Sequence, residues 1–224
     1  MRISAAIFAP RPMRWIVPAG LCGLLFAANL VGVESGVTIS EDRSLELSLH
    51  STFGPSTYDF FETVSSFGGG AVRVADVALI VVALVIARYW WSAALMVVAT
   101  GGAALLETLI KFVVGRYRPQ IFLHAVAADG SSFPSGHAIN TCAFALVIIY
   151  LVWHVYPHRG LTAAGAVLLT ASVLLVGLSR IVLGVHYPTD VLGGYALAGA
   201  WVCATIAFFA PALSAETTHA SSHR

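Results

Sequence analysis

Three short clusters of polar residues interrupt an otherwise apolar chain, and their residue types suit chemistry on a phosphoryl group. The first cluster runs from Lys111 to Pro119, the second from Phe133 to His137 and the third from Ser179 to Asp190. A phosphoryl site needs cations against the negative oxygens, a nucleophile in line with the leaving group and an acid that protonates that group. The three clusters together supply a side chain for each of these tasks.

The basic residues of the clusters are candidates for binding the phosphoryl oxygens. Lys111, Arg118 and Arg180 supply positive charge, and each arginine adds a planar fork of N–H donors. Ser135 and the backbone N–H of Gly136 can bind oxygens at the start of a helix, where the helix dipole also favours an anion. Taken singly, each arginine could instead bind a lipid headgroup, and Pro-Ser-Gly could be an ordinary turn.

Two histidines and one acid complete the candidate catalytic set. His137 and His186 can serve as acid and nucleophile. Asp190, four residues after His186, can accept a hydrogen bond from one imidazole nitrogen and so leave the other nitrogen free to attack. Asp190 could also be a simple N-cap. Because charged groups near hydrocarbon are costly, the joint placement of these residues favours function over structure.

The composition places these clusters in a membrane protein. The 224 residues are 58% hydrophobic and 10% charged, with a mean hydropathy of +0.84, whereas soluble domains carry about 25% charged residues. A helix needs about 20 apolar residues to cross the hydrocarbon. Six stretches qualify: Trp15–Val33, Ala71–Ala87, Trp91–Val114, Ala138–Tyr156, Leu161–Leu183 and Asp190–Ala212. We therefore expect an all-α integral membrane protein in which residues 1–224 form one six-span helix bundle.

The basic residues outside the clusters indicate the orientation of this bundle. With six spans, these residues fall on one side: Arg2, Arg11, Arg14, Arg88, Arg159 and Arg224. The opposite side receives residues 34–70, with six acids and one arginine, although Arg73 counts against this assignment. Because short cytoplasmic loops are enriched in Lys and Arg, we expect both termini in the cytoplasm of a cell (inner) membrane, with the clusters facing the periplasm or exterior. The first stretch could be a signal peptide, but a retained anchor is favoured.

Residues 34–70 are too apolar and aromatic for a plain linker. Tyr58 to Val64 has mixed helical periodicity, which predicts an interfacial helix on the outer face. The run from Phe67 to Gly70 is a breaker that should end this helix.

The three clusters resemble the signature of the type 2 phosphatidic acid phosphatase superfamily. That signature reads K-x6-R-P, then P-S-G-H, then S-R-x5-H-x3-D, and spans 111–119, 134–137 and 179–190 here. Every defined position is met: Lys111, Arg118, Pro119, Pro134, Ser135, Gly136, His137, Ser179, Arg180, His186 and Asp190. The six-helix organisation extends the resemblance over most of the chain, but residues 34–70 have no counterpart in the signature.

The resemblance implies a membrane lipid phosphatase that acts through a phosphohistidine. His186 would attack phosphorus, Asp190 would orient it, and His137 would protonate the leaving oxygen. Lys111, Arg118 and the other phosphate-binding candidates would hold the oxygens, and the family generally needs no metal or other cofactor. Four residues are additional candidates for the site: Ser179, Arg116, Tyr117 and Glu107, the last as a partner of Lys111 or Arg116.

The remaining polar residues have simpler interpretations. Cys22, Cys142 and Cys203 lie in apolar runs without short spacing, so we expect buried small side chains and no metal site. His124 and Asp129 are expected to be solvated loop residues. The expected partners are a lipid substrate and the bilayer, with no nucleic acid, and the oligomeric state is left open.

Three functions are weighed from the sequence. The leading one is hydrolysis of a lipid phosphate: undecaprenyl diphosphate, ranked first by analogy with the family, or phosphatidic acid, phosphatidylglycerol phosphate or lipid A. A phosphotransferase with the same intermediate is the alternative within enzymes. A small transporter is disfavoured, because transporters usually place their charges near the bilayer midplane and these clusters lie near span ends.

Overall fold

The computed structural model describes residues 13–121, 124–155 and 159–222. Within these ranges the chain forms eight α-helices: α1 (Met13–Glu34), α2 (Ile39–Phe53), α3 (Tyr58–Phe67), α4 (Gly70–Ile86), α5 (Trp90–Val114), α6 (Gly136–Val155), α7 (Arg159–Val182) and α8 (Pro188–Ser222). A short 3-10 turn, Pro55–Thr57, precedes α3. Three of the arginines used for the orientation, together with the predicted end of span four, lie outside the described residues: Arg2, Arg11, Arg224 and Tyr156.

The prediction of an all-α protein with six spans is confirmed. Six apolar helical stretches are long enough to cross a membrane: α1, α3 continued into α4, α5, α6, α7 and α8. The predicted boundaries agree with these stretches to within a few residues, apart from the second, which begins earlier, and the last, where α8 continues beyond the predicted end at Ala212.

Helix α8 lies at the centre of the bundle and packs against α1, α5 and α6. The core between α5, α6 and α8 consists of fully buried apolar side chains such as Met96, Ile139 and Val202. Small residues bring the helices close, as is common within membranes. Gly102 of α5 faces the indole of Trp201, whose Nε1 donates a hydrogen bond of 3.1 Å to Ala99 O.

Contacts at the two ends of the bundle fix the direction of the helices. At one end Trp15 of α1 packs edge-to-face on Tyr150, with ring centroids 5.4 Å apart. At the other end Asn29 Nδ2 donates a hydrogen bond of 2.8 Å to Thr189 O, at the start of α8. Helix α1 therefore runs antiparallel to α8, and the start of α1 lies at the opposite end from the start of α8.

The end of α8 also caps the start of α5. Glu216 accepts hydrogen bonds from Trp91 N at 2.7 Å, Ser92 N at 3.1 Å and Ser92 Oγ at 2.7 Å. The first N–H groups of a helix have no partner within the helix, and a carboxylate there also complements the helix dipole. A carboxylate distant in sequence thus supplies the hydrogen-bond acceptors for the first N–H groups of α5.

Two helices from residues 34–70 pack over the end of the bundle at which α8 begins. Helix α3 packs against α7, and α2 contacts both α7 and α8. Phe61 of α3 forms a buried apolar cluster with Val182, Leu183 and Val185. The predicted helix at residues 58–64 is present as α3, and it ends before Gly68. Helix α2 was not predicted, because its acids and serines give no clear apolar periodicity.

The contact between Gly102 and Trp201 gives a prediction for stability. A Cβ at residue 102 would lie 2.6 Å from Trp201 Nε1, whereas a Cβ at the neighbouring Gly101 would meet nothing within 4 Å. Overpacking of this kind costs about 1–3 kcal/mol. We expect Gly102→Ala to lower the thermal unfolding midpoint in detergent and Gly101→Ala to leave it equal or higher, since Ala suits a helix better by about 0.5–1 kcal/mol. Equal midpoints for the two variants would contradict this packing.

Candidate active site

The three sequence clusters meet at one end of the bundle because four helix termini lie there. Helix α5 ends at Val114, and its C-cap Gly115 adopts a left-handed conformation with φ of 60°. Helix α7 ends in a turn that includes Gly184, with φ of 74°, and Val185 N and His186 N then both bond back to Arg180 O at 3.2 Å. These two turns return the chain toward the starts of α6 and α8, next to α2 and α3.

His186 and Asp190 form a buried pair at the start of α8. His186 is 2% exposed and Asp190 is fully buried. His186 Nδ1 lies 3.4 Å from Asp190 Oδ2, which is longer than an ordinary hydrogen bond. The imidazole therefore faces the carboxylate with Nδ1, and its Nε2 lies on the opposite side, 3.2 Å from Arg118 Nη1.

The carboxylate of Asp190 binds groups from the first and third clusters and from Ser132, directly before the second cluster. Its Oδ1 accepts a hydrogen bond of 2.5 Å from Arg116 Nη1. Its Oδ2 accepts a hydrogen bond from Tyr187 N at 2.8 Å and a short one from Ser132 Oγ. A buried carboxylate is tolerated only where its charge is paired and its oxygens are hydrogen-bonded. Asp190 is therefore held firmly as an anion beside His186.

The second cluster joins this arrangement through the backbone. Ser135 N donates a hydrogen bond of 3.0 Å to Asp190 O, and Ser135 O accepts the first bond of α6 from Ile139 N at 3.0 Å. The side chain of Ser135 is fully buried, and its Oγ has no hydrogen-bond partner among the described residues. This bond aligns the start of α6, which carries His137, with the start of α8.

The residues surround a cavity of about 350 Å³. Both imidazoles and three cations line it together, so the three clusters lie at one cavity. The predicted site residues in its walls are Lys111, Arg118, Gly136, His137, Arg180 and His186.

Glu107 also lines the cavity and holds one of its cations. Its Oε1 lies 2.9 Å from Lys111 Nζ, which is the pairing proposed from the sequence. Its Oε2 accepts a hydrogen bond of 2.6 Å from Asn140 Nδ2. A Cβ at Gly136 would lie 2.7 Å from Glu107 Cδ, so only glycine leaves room for the carboxylate there.

The two arginines of the cavity are held by neutral groups. Arg118 Nη1 donates to Val185 O at 2.7 Å and Arg118 Nη2 donates to Asp129 O at 2.8 Å. Arg180 Nη1 donates to Ser65 Oγ of α3 at 2.5 Å, and Arg180 Nε has no hydrogen-bond partner among the described residues. These carbonyl and hydroxyl partners carry no negative charge, so both guanidinium groups remain available to an anion in the cavity.

Burial and nearby cations keep the imidazole of His186 neutral. Burial lowers the pKa of His186 to about 4, and Arg118 and Arg180 act in the same direction, against the raising effect of Asp190. The ring is therefore neutral at pH 7, with a proton on one nitrogen and a lone pair on the other. A nucleophilic nitrogen needs this form, because a protonated imidazole has no lone pair with which to attack.

Three of the additional candidates from the sequence do not line the cavity. Ser179 Oγ donates to Val176 O of its own helix at 2.6 Å. Tyr117 is 86% exposed. Arg116 lies behind Asp190, with its guanidinium 4.3 Å from the ring centroid of Tyr187. Glu107 alone among the four contributes to the cavity walls.

His124 and Asp129, both expected to be solvated loop residues, differ in their exposure. Asp129 is exposed, lies in the cavity wall and contributes its carbonyl to Arg118. His124 is partly buried, and its Nε2 bonds to Pro119 O at 2.7 Å. Neither side chain forms part of the set of cations and imidazoles.

Sequence reasoning missed several polar residues close to the site, including Ser132 and Thr189 beside Asp190. Asn140 follows His137 by three residues and so shares its helix face, a spacing that could have identified it. Ser65 and Asp42 belong to α3 and α2, where no spacing relates them to the clusters.

Comparison with known proteins identifies the family. The sequence profile of the PAP2 superfamily matches residues 90–213, which is more than half of the chain. The chain is 38% identical over 99 residues to phosphatidylglycerophosphatase B of Bacillus subtilis, covering 42% of this chain and 46% of that protein. It is 41% identical over 107 residues to decaprenylphosphoryl-5-phosphoribose phosphatase of Mycobacterium tuberculosis, covering 46% of this chain and 53% of that protein. The chain thus spans about half the length of these curated relatives.

A solved structure extends the likeness to most of the fold. The crystal structure of a transmembrane PAP2-type phosphatidylglycerolphosphate phosphatase from Bacillus subtilis matches with a TM-score of 0.75 at 25% identity, covering 85% of this chain and 94% of that chain. The chain therefore belongs to the PAP2 superfamily, and the relatives that it matches are membrane lipid phosphatases.

Proposed function

We propose that the chain hydrolyses a phosphate ester or anhydride of a membrane lipid through a phosphohistidine on His186. The observation that carries this proposal is the single cavity lined by two imidazoles and three cations. Such a set provides a nucleophile, a proton donor and charge stabilisation within the reach of one phosphoryl group.

The first step uses the two nitrogens of His186 for different tasks. Nδ1 faces Asp190 at 3.4 Å and would carry the proton, which leaves Nε2 unprotonated. The Nε2 lone pair accepts the contact from Arg118 Nη1 until a phosphoryl oxygen takes over this donor. Nε2 would attack phosphorus, so that a P–N bond forms as the bond from phosphorus to the leaving oxygen breaks. Arg118 Nη1, 3.2 Å from Nε2, lies where it can bind an oxygen of the same phosphoryl group.

His137 would move the protons in both steps. It lines the same cavity as His186 and would give its proton to the leaving oxygen of the lipid. The negative charge of a bound phosphoryl group favours the protonated imidazole that this role requires. His137 would then take a proton from water as the water attacks phosphorus and the P–N bond breaks. Free phosphate leaves, and both imidazoles return to their initial state.

The cations would bind the phosphoryl oxygens without a metal. Arg118 and Arg180 are held by neutral carbonyl and hydroxyl groups and keep their charge for the substrate. No group of three His, Cys, Asp or Glu side chains in the described part of the chain is arranged to bind a metal ion. The guanidinium and ammonium groups would therefore take the role that metal ions play in many other phosphatases.

The position of the cavity favours a lipid substrate. It lies where spans begin and end, so a phosphate at headgroup depth would reach it while the apolar tail stays in the bilayer. Large apolar side chains within the first cluster are exposed on the bundle surface, including Phe112 at 89% and Val113 at 80%. We propose that this end of the bundle faces the periplasm or exterior of a cell membrane.

Glu107 favours a phosphate monoester over a diphosphate. Its carboxylate lies in the cavity wall and neutralises Lys111 at 2.9 Å. A diphosphate brings more negative charge into the cavity than a monoester, and the pairing of Lys111 with Glu107 leaves less uncompensated positive charge to balance it. We therefore place phosphatidylglycerol phosphate, phosphatidic acid and similar monoesters ahead of undecaprenyl diphosphate.

Substitution of His186 tests the reaction directly. We expect His186→Ala to lower phosphate release by at least about 1000-fold, since loss of a nucleophile removes the covalent route. The measurement is phosphate release in detergent, with EDTA present, from a panel of lipid monophosphates and diphosphates. The matched control is His50→Gln, which changes an imidazole outside the cavity. Turnover by His186→Ala at the control rate would refute the nucleophile assignment. If the parent protein transfers the phosphoryl group of a labelled substrate to an added lipid or sugar, the activity is that of a phosphotransferase.

The pKa of His186 is a second test. Its ring should stay neutral as the pH falls through 6.5, the ordinary value, and should gain a proton only near pH 4, because burial and Arg118 oppose the charge. The measurement is NMR of histidine-labelled protein in detergent, with the resonance assigned by its loss in His186→Gln. A titration midpoint near 6.5 would mean that the imidazole is solvated and is not held in the buried pair.

Reporter fusions test the orientation. A fluorescent protein that folds only in the cytoplasm should fluoresce when fused after residue 224, and alkaline phosphatase inserted at Gly54, between α2 and the 3-10 turn, should be active outside. The reason is the excess of basic residues on the side opposite to the clusters. The opposite pattern of the two reporters would place the cavity at the cytoplasmic face.

A further inference from the structure

Asp42 of the outer helix α2 is buried and fully engaged. It is 2% exposed. Its Oδ1 accepts a hydrogen bond of 3.0 Å from Thr189 N, and its Oδ2 accepts hydrogen bonds from Thr189 Oγ1 at 2.6 Å and Arg116 Nη2 at 2.8 Å. A carboxylate so placed is built into its surroundings, unlike the exposed acid beside it, Glu41.

Arg116 connects Asp42 with the buried carboxylate of the active site. Its Nη2 bonds to Asp42, and its Nη1 bonds to Asp190 Oδ1 at 2.5 Å and to Thr189 Oγ1 at 2.8 Å. The ring of Tyr187 supports one face of the guanidinium at 4.3 Å. The planar fork of Arg116 therefore bridges two carboxylates in a fixed geometry.

The bridge continues to the proposed nucleophile. Asp190 Oδ1 is bound by Arg116, and Asp190 Oδ2 lies 3.4 Å from His186 Nδ1. The order of contacts is therefore Asp42, Arg116, Asp190 and His186. Thr189, next to Asp190 in the chain, is held by Asp42 at both its N–H and its hydroxyl.

We propose that Asp42 is a positioning residue for His186, which holds Arg116 and the start of α8 so that Asp190 faces Nδ1 of the imidazole. This inference rests on the proposed function, because it presumes that His186 is the nucleophile. It also assigns a role to residues 34–70, which lie outside the part of the chain that matches the PAP2 profile.

Charge explains why a second carboxylate is needed. Arg116 is largely buried, and a buried cation needs compensation. With Asp42 present, the guanidinium is shared between two anions, so Asp190 keeps negative charge for the imidazole. Without it, Asp190 would be the one anion left beside Arg116 in this arrangement, and the pair would draw the carboxylate away from His186.

A further acid on α2 does not take over this role. Glu46 is fully buried, and neither carboxyl oxygen has a hydrogen-bond partner among the described residues. Burial, and then the charges of Asp42 and Asp190, raise the pKa of Glu46 to about 8. It therefore carries a proton at neutral pH and adds no negative charge near Arg116.

The test compares Asp42→Asn with Glu41→Gln, which removes an exposed charge from the same helix. We expect Asp42→Asn to lower kcat by about 10- to 100-fold, the loss that a misplacement of about 1 Å can cause, with KM unchanged because the cavity cations are intact. Asp42→Glu should recover part of kcat by restoring the carboxylate. Glu41→Gln should match the parent protein in both constants.

A spectroscopic measurement separates positioning from a merely structural role. Imidazole 15N shifts of labelled protein should show His186 with its proton on Nδ1 in the parent protein and in Glu41→Gln, and a larger share of the Nε2–H form in Asp42→Asn. Thermal unfolding in detergent is measured for each variant. If Asp42→Asn does not fold, Thr189→Val is measured instead, because it removes the hydroxyl that contacts both Asp42 and Arg116 and leaves every charge in place. A smaller loss of kcat and the same change of tautomer are then expected.

The outcomes distinguish this inference from the proposed function. If His186→Ala is inactive while Asp42→Asn matches Glu41→Gln, the role of Asp42 is refuted and the nucleophile stands. A loss of kcat with an unchanged tautomer and no recovery in Asp42→Glu also refutes it, since stability alone would explain that result. If His186→Ala retains full turnover, the proposed function itself fails.

Discussion

The rest of the site depends on the hydrogen bonds and the ion pair of one buried carboxylate, that of Asp190. A charge that is fully removed from water must be paired and hydrogen-bonded, or folding becomes unfavourable. The partners of this carboxylate are Arg116 of the first cluster, Ser132 directly before the second, and Tyr187 N of the third. The convergence of three distant segments therefore follows from the needs of one ionised group at the start of a membrane helix.

Two kinds of electrostatic environment meet at this carboxylate. On the side away from the cavity, the positive charge of Arg116 is balanced by Asp42 as well as by Asp190. On the cavity side, Arg118 and Arg180 donate to backbone carbonyls and to a hydroxyl. The compensated side is rigid and closed, whereas the other side has positive charge without a matching anion. A cavity lined in this way favours an anion and still retains a neutral imidazole, which is the form that the proposed nucleophile requires.

The sequence contained most of what defines the site. Six apolar stretches gave the spans, and the three clusters gave the residues of the cavity because their order and spacing are matched only rarely by chance. The pairing of Glu107 with Lys111 was also accessible, since residues four apart share a helix face. These features depend on local spacing, which one sequence records directly.

Contacts between distant segments were not accessible in this way. Asp42 and Glu46 resemble the solvated acids of an ordinary surface helix, and nothing in their spacing shows that α2 buries them against α8. Arg116 was considered for contact with substrate because it lies within the first cluster, but its side chain turns away from the cavity toward two carboxylates. Ser65 became relevant only when α3 was found beside α7. Tertiary packing decides such cases.

The backbone bond between Ser135 N and Asp190 O has a consequence for the protein in membranes of different thickness. Membrane helices adapt to a thicker or thinner bilayer in part by tilting. Because this bond joins the residue before α6 to the first turn of α8, a change in tilt between the two helices moves their far ends more than these joined ends. The distance between the imidazoles of His137 and His186, which lie beside the bond, is thereby less sensitive to the thickness of the bilayer.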